Sequence, residues 1–244
     1  MSDVEIAQIA QAAENKFFGK PCGLLDQMTS SVGSFVEIDF ADPANPVIEK
    51  LDFDFASCGY ALCIVDTGGS HSDLTDEYAA VRKEMESVAE YLGKSVLREV
   101  DEDEFMKNIA DIRSSCGDRA VLRAMHFYGD NARVEKQAAA LKAGDFETFK
   151  KYIIESGRSS YMYNQNVYSC KKASEQPVSL ALSLSEKLLD GCGAWRVHGG
   201  GFAGTIQAFV PLNKLDEYKD LMEKVFGSGS CYILSVRPVG GVEL

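Results

Sequence analysis

The sequence predicts an α+β fold with a mainly antiparallel sheet, on three observations. Five short runs rich in Val, Ile, Phe and Tyr read as strands, two early and three late. A long block of helical period lies between the two groups. Strands and helices therefore do not alternate one for one, as a doubly wound parallel sheet would require.

In chain order, Ile6, Ile9, Ala13 and Phe17 form an apolar stripe, with Asp3 as N-cap and Gly19 then Pro21 as stop signals. A short helix is expected over Leu24–Ser31, and strands over Ser34–Phe40 and Tyr60–Asp66. Pro43 and Pro46 break structure between those two strands and mark the best internal boundary. Leu74, Tyr78, Val81, Met85, Val88 and Leu92 define the next helix. One long helix carries Val121, Met125, Tyr128, Val134, Ala138 and Leu141 and ends at Gly144. Asp145 then caps a helix bearing Phe146, Phe149 and Ile153. Pro177 suits the first turn of a helix whose stripe is Leu180, Leu184 and Leu188. Strands follow at Ala194–Val197 and Thr205–Val210. A helix through Leu215, Tyr218, Met222 and Val225 and a strand at Cys231–Val236 close the chain.

Composition narrows the function. With 244 residues, 45% hydrophobic and 25% charged, the chain can bury a sizeable core. A net charge of −12 opposes both a sequence-independent grip on nucleic acid and binding to an anionic membrane. No apolar run reaches the length of a membrane span, and Met1–Glu5 lacks the features of a signal peptide, so a cytoplasmic location is expected. The seven cysteines are scattered, with no C-x-x-C pair, and read as reduced thiols. With only three histidines and no Cys or His cluster, no protein-bound metal is expected.

Three segments could carry chemistry. Gly199-Gly200-Gly201-Phe202-Ala203-Gly204 satisfies G-x-G-x-x-G formally, but a strand pattern follows it where a dinucleotide site needs a helix. It reads instead as a glycine loop between two strands, richer in glycine than a bare hairpin needs and so facing a ligand. Gly19–Gln27 places Asp26 just after a Pro- and Gly-containing turn, where a first-turn carboxylate is favoured by the helix dipole; the spacing alone does not show catalysis. Glu77, Tyr78 and Arg82 share a helix, and Tyr78 also lies on its apolar stripe, as a core tyrosine would.

Together these segments resemble the galactokinases of the GHMP kinase family. Gly-x-Pro-Cys-Gly-Leu-Leu-Asp-Gln at 19–27 resembles the run ending in that family's catalytic Asp. Glu77-Tyr78 with Arg82 resembles its E-Y-x-x-R helix, whose Tyr contacts the sugar, and Gly199–Gly204 resembles its third signature motif. Glu14-Asn15, and His126 with Asn131 and Arg133, also fit. The chain lacks the family's opening sugar-binding signature and its Gly/Ser-rich phosphate motif. The Ser156–Ser159 stretch has Gly157 where typical members have His, and the third motif opens His198-Gly199-Gly200-Gly201; both point to a divergent bacterial-type branch.

The resemblance implies a ferredoxin-like C-terminal domain at 51–244, preceded at 1–50 by a remnant of the N-terminal domain. It implies an ATP- and Mg²⁺-dependent phosphorylation of galactose in the complete enzyme. Asp26 would be the base, Gly23, Asp26 and Tyr78 would bind the sugar, and Gly199, Gly200 and Gly201 would lie near the phosphates. The alternatives are another GHMP small-molecule kinase or a non-catalytic sugar-binding module derived from one. The chain alone is expected to be inactive, to bind no cofactor and to self-associate through residues 1–40.

Overall fold

The computed structural model describes residues 1–19, 22–69, 74–202 and 204–241, so Lys20, Pro21, His71 and Ala203 of the segments above lie outside the described residues. The chain divides into two compact units, Met1–Asp54 with Leu141–Gly144 and Ser235–Leu244, and Phe55–Ala140 with Asp145–Leu234.

In the first unit, α1 (Asp3–Ala12) begins with a capping box. Ser2, not Asp3, is the N-cap: its hydroxyl accepts from the Glu5 N–H, and the Glu5 carboxylate accepts from the Ser2 N–H at 2.7 Å. A π-helical turn, Ala13–Phe18, continues α1 and ends at Gly19. α2 (Leu25–Val32) follows, then β1 (Phe35–Asp39) and β2 (Val47–Leu51), paired antiparallel with Phe35 opposite Leu51. The core comprises Ala7, Leu24, Met28 and Val32, with Val36, Ile38 and Ile48 packed against it. The side of α1 that is buried is marked by Ala7, whereas Ile6, Ile9 and Phe17 are exposed. The C-terminal stretch joins this unit through the Ser34 N–H, which donates to the Arg237 carbonyl at 2.8 Å.

The second unit is built on a four-stranded antiparallel sheet of β3 (Tyr60–Asp66), β4 (Ala194–His198), β5 (Thr205–Pro211) and β6 (Cys231–Leu234), in the order β4-β5-β3-β6. Each helical crossover skips one strand, from β3 over β5 to β4 and from β5 over β3 to β6, which is the ferredoxin-like order. Between β3 and β4 come α3 (Thr75–Tyr91), α4 (Glu102–Lys107), α5 (Ile109–Cys116), α6 (Asp118–Lys142), α7 (Phe146–Ser159) and α8 (Pro177–Leu189); α9 (Leu215–Phe226) links β5 to β6. Ala61, Cys63 and Val65 of β3 alternate onto the face that packs with Ile206, Ala208, Trp195, Tyr218 and Met222. A separate helical core holds Val88, Phe105, Ile112, Val121 and Tyr128.

Asp145 caps α7 as expected, its carboxylate accepting from the Thr148 N–H at 3.0 Å. The leucine stripe of α8 is part of its buried face: Leu184 and Leu188 pack against the sheet core, whereas Leu180 is exposed. The centre of that face is Val178, Ala181, Leu182, Ser185 and Leu189.

Candidate functional site

The Asp26 segment lies in the first unit. Asn15, on the π-helical turn, grips the Cys22 peptide from both ends: its Oδ1 accepts from the Cys22 N–H at 2.8 Å and its Nδ2 donates to the Cys22 carbonyl at 3.4 Å. Gln11 Nε2 donates to that same carbonyl, and Gln27 Nε2 to the Cys22 sulfur. The backbone entering Gly23 and α2 is thereby fixed. Gly23 is exposed, with nothing near the position a Cβ would take. Asp26 sits in the first turn of α2, where the N-cap, Leu24, supplies no side-chain bond. Its carboxylate is exposed and has no hydrogen-bond or ion-pair partner among the described residues.

Tyr78 and the glycine loop come together in the second unit. The loop joins β4 to β5, whose last pair is His198 opposite Thr205. Tyr78 Oη donates to the Gly201 carbonyl at 2.8 Å, and its ring meets Phe202 edge-on with centroids 5.1 Å apart. The hydroxyl proton expected on a sugar is in this structure given to the loop, which is the core-tyrosine arrangement. A Cβ at Gly200 would stand 2.7 Å from the Tyr78 ring, so that position requires glycine by close approach.

Asn166, which the sequence reading did not single out, ties the loop down from the other side. Its carbonyl accepts from the Phe202 N–H at 2.5 Å and its Nδ2 donates to the Gly200 carbonyl at 3.2 Å. Thr67 Oγ1 adds a bond to the Gly204 carbonyl at 2.6 Å. Three loop carbonyls are thus turned to protein donors. Residues 199–200 form a turn, and the N–H groups of Gly199 and Gly200 take no backbone acceptor among the described residues, so these two are open to an anion. The only sequence signal for Asn166 is the amide cluster Asn164-Gln165-Asn166, which has no period to reveal a contact through space.

Of the other residues that fit the resemblance, Glu77 is buried and accepts from the Ser169 hydroxyl at 2.7 Å. Arg82 is exposed and paired with Glu86. His126 is buried with Nδ1 2.9 Å from Ser159 Oγ, and burial lowers its pKa, with Asp130 opposing and Arg196 and Arg133 adding to the shift. Among the described residues no group of three or more His, Cys, Asp or Glu side chains converges as a metal site.

No family model matches the chain. Curated relatives include the galactokinase of Actinobacillus pleuropneumoniae, 28% identical over 222 residues, which is 91% of this chain and 55% of that protein. Human galactokinase is 31% identical over 238 residues, 98% of this chain and 57% of that protein. The chain thus spans little more than half the length of the relatives it matches. Among solved structures, Lactococcus lactis galactokinase complexed with galactose superposes with a TM-score of 0.74 at 20% identity, covering 100% of this chain and 62% of that one. L. major mevalonate kinase gives a TM-score of 0.58 at 14% identity, covering 99% of this chain and 60% of that one. Along about 90% of its length the chain is homologous to galactokinases, and it carries the fold of GHMP kinase C-terminal domains.

Proposed function

We propose that this chain supplies the sugar-side base and a phosphate-facing loop of an ATP-dependent kinase acting on the anomeric hydroxyl of galactose. The observation that carries the reading is Asp26: an exposed carboxylate without a protein partner among the described residues, behind a backbone that Asn15 clamps. The sugar O1 attacks the γ-phosphorus of ATP, the bond from that phosphorus to the β-bridging oxygen breaks, and ADP leaves. Asp26 takes the hydroxyl proton, where orientation matters more than basicity because the hydroxyl becomes acidic late in a loose transition state. In the first unit Gly23 leaves room for the sugar beside Asp26; in the second, Tyr78 steadies the glycine loop, whose Gly199 and Gly200 N–H groups are open to phosphate oxygens. Magnesium is assigned to no residue of this chain.

On this reading the first unit corresponds to the end of a GHMP N-terminal domain and the second to the C-terminal domain. Magnesium-ATP alone is expected to bind the 244-residue chain weakly, since the loop at 199–204 contains no Lys or Arg. Self-association through residues 1–40 is also expected, because Phe17 and Phe18 are 89% and 80% exposed beside Ile6 and Ile9. Sedimentation of a monomer at high concentration would remove that part.

The protein translated from the complete reading frame is to be assayed with magnesium-ATP against galactose, other aldohexoses, mevalonate and homoserine. Galactose should be phosphorylated fastest, and Asp26→Asn should lower turnover by about 10² or more with sugar affinity retained. Faster mevalonate or homoserine turnover would assign another GHMP kinase. No turnover on any of them, with galactose still bound, would support a non-catalytic module.

A further inference from the structure

A cavity of about 420 Å³ in the second unit is not used by the reading above. Its lining includes Glu77, Arg119, Tyr161, Met162, Gln165 and Tyr168. Glu77 and Tyr78 are neighbours on α3 but engage different partners, Ser169 and the Gly201 carbonyl. Glu77 is only 8% exposed. Its Oε1 accepts from Ser169, and its Oε2 has no hydrogen-bond partner among the described residues. That oxygen is not among the chain's fully buried atoms; Glu77 lines the cavity, where Oε2 is free to accept from water or from a ligand.

The surrounding charges limit what that donor can be. Arg119 holds the Glu84 carboxylate through Nε and Nη2, and Arg123, 1% exposed, reaches the same carboxylate through Nη1 at 2.9 Å. Two guanidiniums and two carboxylates therefore balance. A phosphate would meet Glu77, and an ammonium group would meet the arginines, so neither gains from the site. A neutral ligand with hydroxyls does. Glu77 Oε2 can accept, while Arg119 Nη1, which has no partner among the described residues, and the Gln165 amide can donate. The rings of Tyr161 and Tyr168, 6.3 Å apart and tilted by 55°, offer apolar faces beside these groups. Gln165 is a non-glycine residue at φ 54° at the end of the π-helical turn Ser160–Asn164. Strain of this kind tends to gather where backbone is shaped around a ligand.

We propose that this cavity binds a neutral polyhydroxyl compound of mono- to disaccharide size, held by Glu77 and Arg119 and flanked by Tyr161 and Tyr168. The proposal does not depend on Asp26 or on phosphoryl transfer.

The test uses the full 244-residue chain labelled with 3-fluorotyrosine and titrated separately with galactose, lactose and myo-inositol, followed by fluorine NMR. The Tyr161 and Tyr168 signals, assigned from their Phe variants, should shift saturably with at least one probe. Glu77→Gln should weaken that binding about tenfold, as expected for losing a hydrogen bond to a charged group. Met162 at the rim is 60% exposed, so Met162→Trp can narrow the cavity without disturbing the buried carboxylate, and it should also weaken binding should Glu77→Gln fail to fold. Asp26→Asn should leave the shifts unchanged, which separates this cavity from the proposed kinase chemistry. The proposal is overturned by no shift with any probe, by shifts insensitive to the folded variants, by shifts lost in Asp26→Asn, or by inorganic phosphate shifting the two signals in place of the neutral probes.

Discussion

Replacing Gly201 by Ala tests how the glycine loop is held. Gly201 has φ +82°, and its Cβ would overlap the Asn166 carbonyl oxygen, a backbone atom that cannot rotate aside. Gly199 has φ +62° with open space where a Cβ would go. Both substitutions place an L side chain in the left-handed region, costing about 1 to 2 kcal/mol. Only the first forces the loop away from Asn166. That separation disturbs the Phe202 N–H to Asn166 bond and the Tyr78 to Gly201 bond, each worth about 1 kcal/mol net. Gly201→Ala should therefore destabilise the second unit by about 2 kcal/mol more than Gly199→Ala. Urea unfolding followed by Trp195 fluorescence reads this unit directly, because Trp195 is the chain's one tryptophan and lies on β4. With a slope of about 2 kcal/mol per molar urea, the two midpoints should differ by about 1 M. Equal midpoints would mean that the Asn166 contact does not hold the loop.

Three further outcomes follow from the same geometry. Tyr78→Phe leaves the Gly201 carbonyl without its donor and should lower the urea midpoint by the equivalent of about 1 kcal/mol; an unchanged midpoint with weaker sugar binding would return the hydroxyl to the sugar. Burial holds the His126 pKa below its unfolded value of about 6.5, so the unfolded state binds more protons as pH falls through that value, and stability should decline from there until the folded pKa is passed. The decline between pH 7.5 and pH 5, read from urea midpoints, should be smaller in His126→Gln, and equal slopes would refute the assignment. In native alkylation followed by mass spectrometry, exposed Cys58 and Cys170 should react, while Cys63, whose hydrogen bond to Cys231 and burial push its thiol up, should stay unmodified until urea is added. Labelling of Cys63 as fast as Cys58 would count against the packed β3–β6 pairing.

What the sequence revealed depended on whether large side chains mark the buried face. In β3 they do: Tyr60–Asp66 alternates between faces, and the strand was legible to the residue. The same holds for β5 and for α9, whose Tyr218 and Met222 are fully buried. β2 was missed because Glu49 and Lys50 are exposed and Pro46 precedes it, so hairpin pairing with β1, not an apolar pattern, makes it a strand. α4 and α5 are short, and the capping by Asp101 that starts α4 outweighs a weak stripe. In α1 the apolar stripe points away from the buried face, which Ala7 marks, and in α8 the stripe catches only the edge of that face, through Leu184 and Leu188, while Ala181 and Ser185 at its centre are too small to mark it. Asp26 in a first turn was legible from turn chemistry, whereas the hold of Asn166 on the glycine loop joins segments 34 residues apart and leaves no local trace.

Gly157 belongs with these small interface residues. As a sequence feature it is a departure from the galactokinase pattern, standing where His is typical. In the structure a Cβ there would lie 2.9 Å from Arg196 Cβ and 3.1 Å from the Trp195 carbonyl, so α7 and β4 touch through a side that only glycine allows. The neighbouring residues fix that approach. Arg196 Nη1 donates to Ser156 Oγ at 2.7 Å, Ser156 donates to Asp130 Oδ1 at 2.6 Å, and Arg133 donates to the same oxygen at 2.9 Å. A polar chain thus runs from α6 through α7 to β4, and its bond lengths require the helix and strand to stay close. An imidazole at 157 could enter only if α7 moved outward, which would break the Ser156 to Arg196 link and leave the half-buried guanidinium with its Nε bond to the Val197 carbonyl alone. The glycine is therefore explained by the close approach of α7 to the β4 backbone at Trp195 and Arg196, and this departure bears on helix–sheet packing before it bears on which sugar is bound.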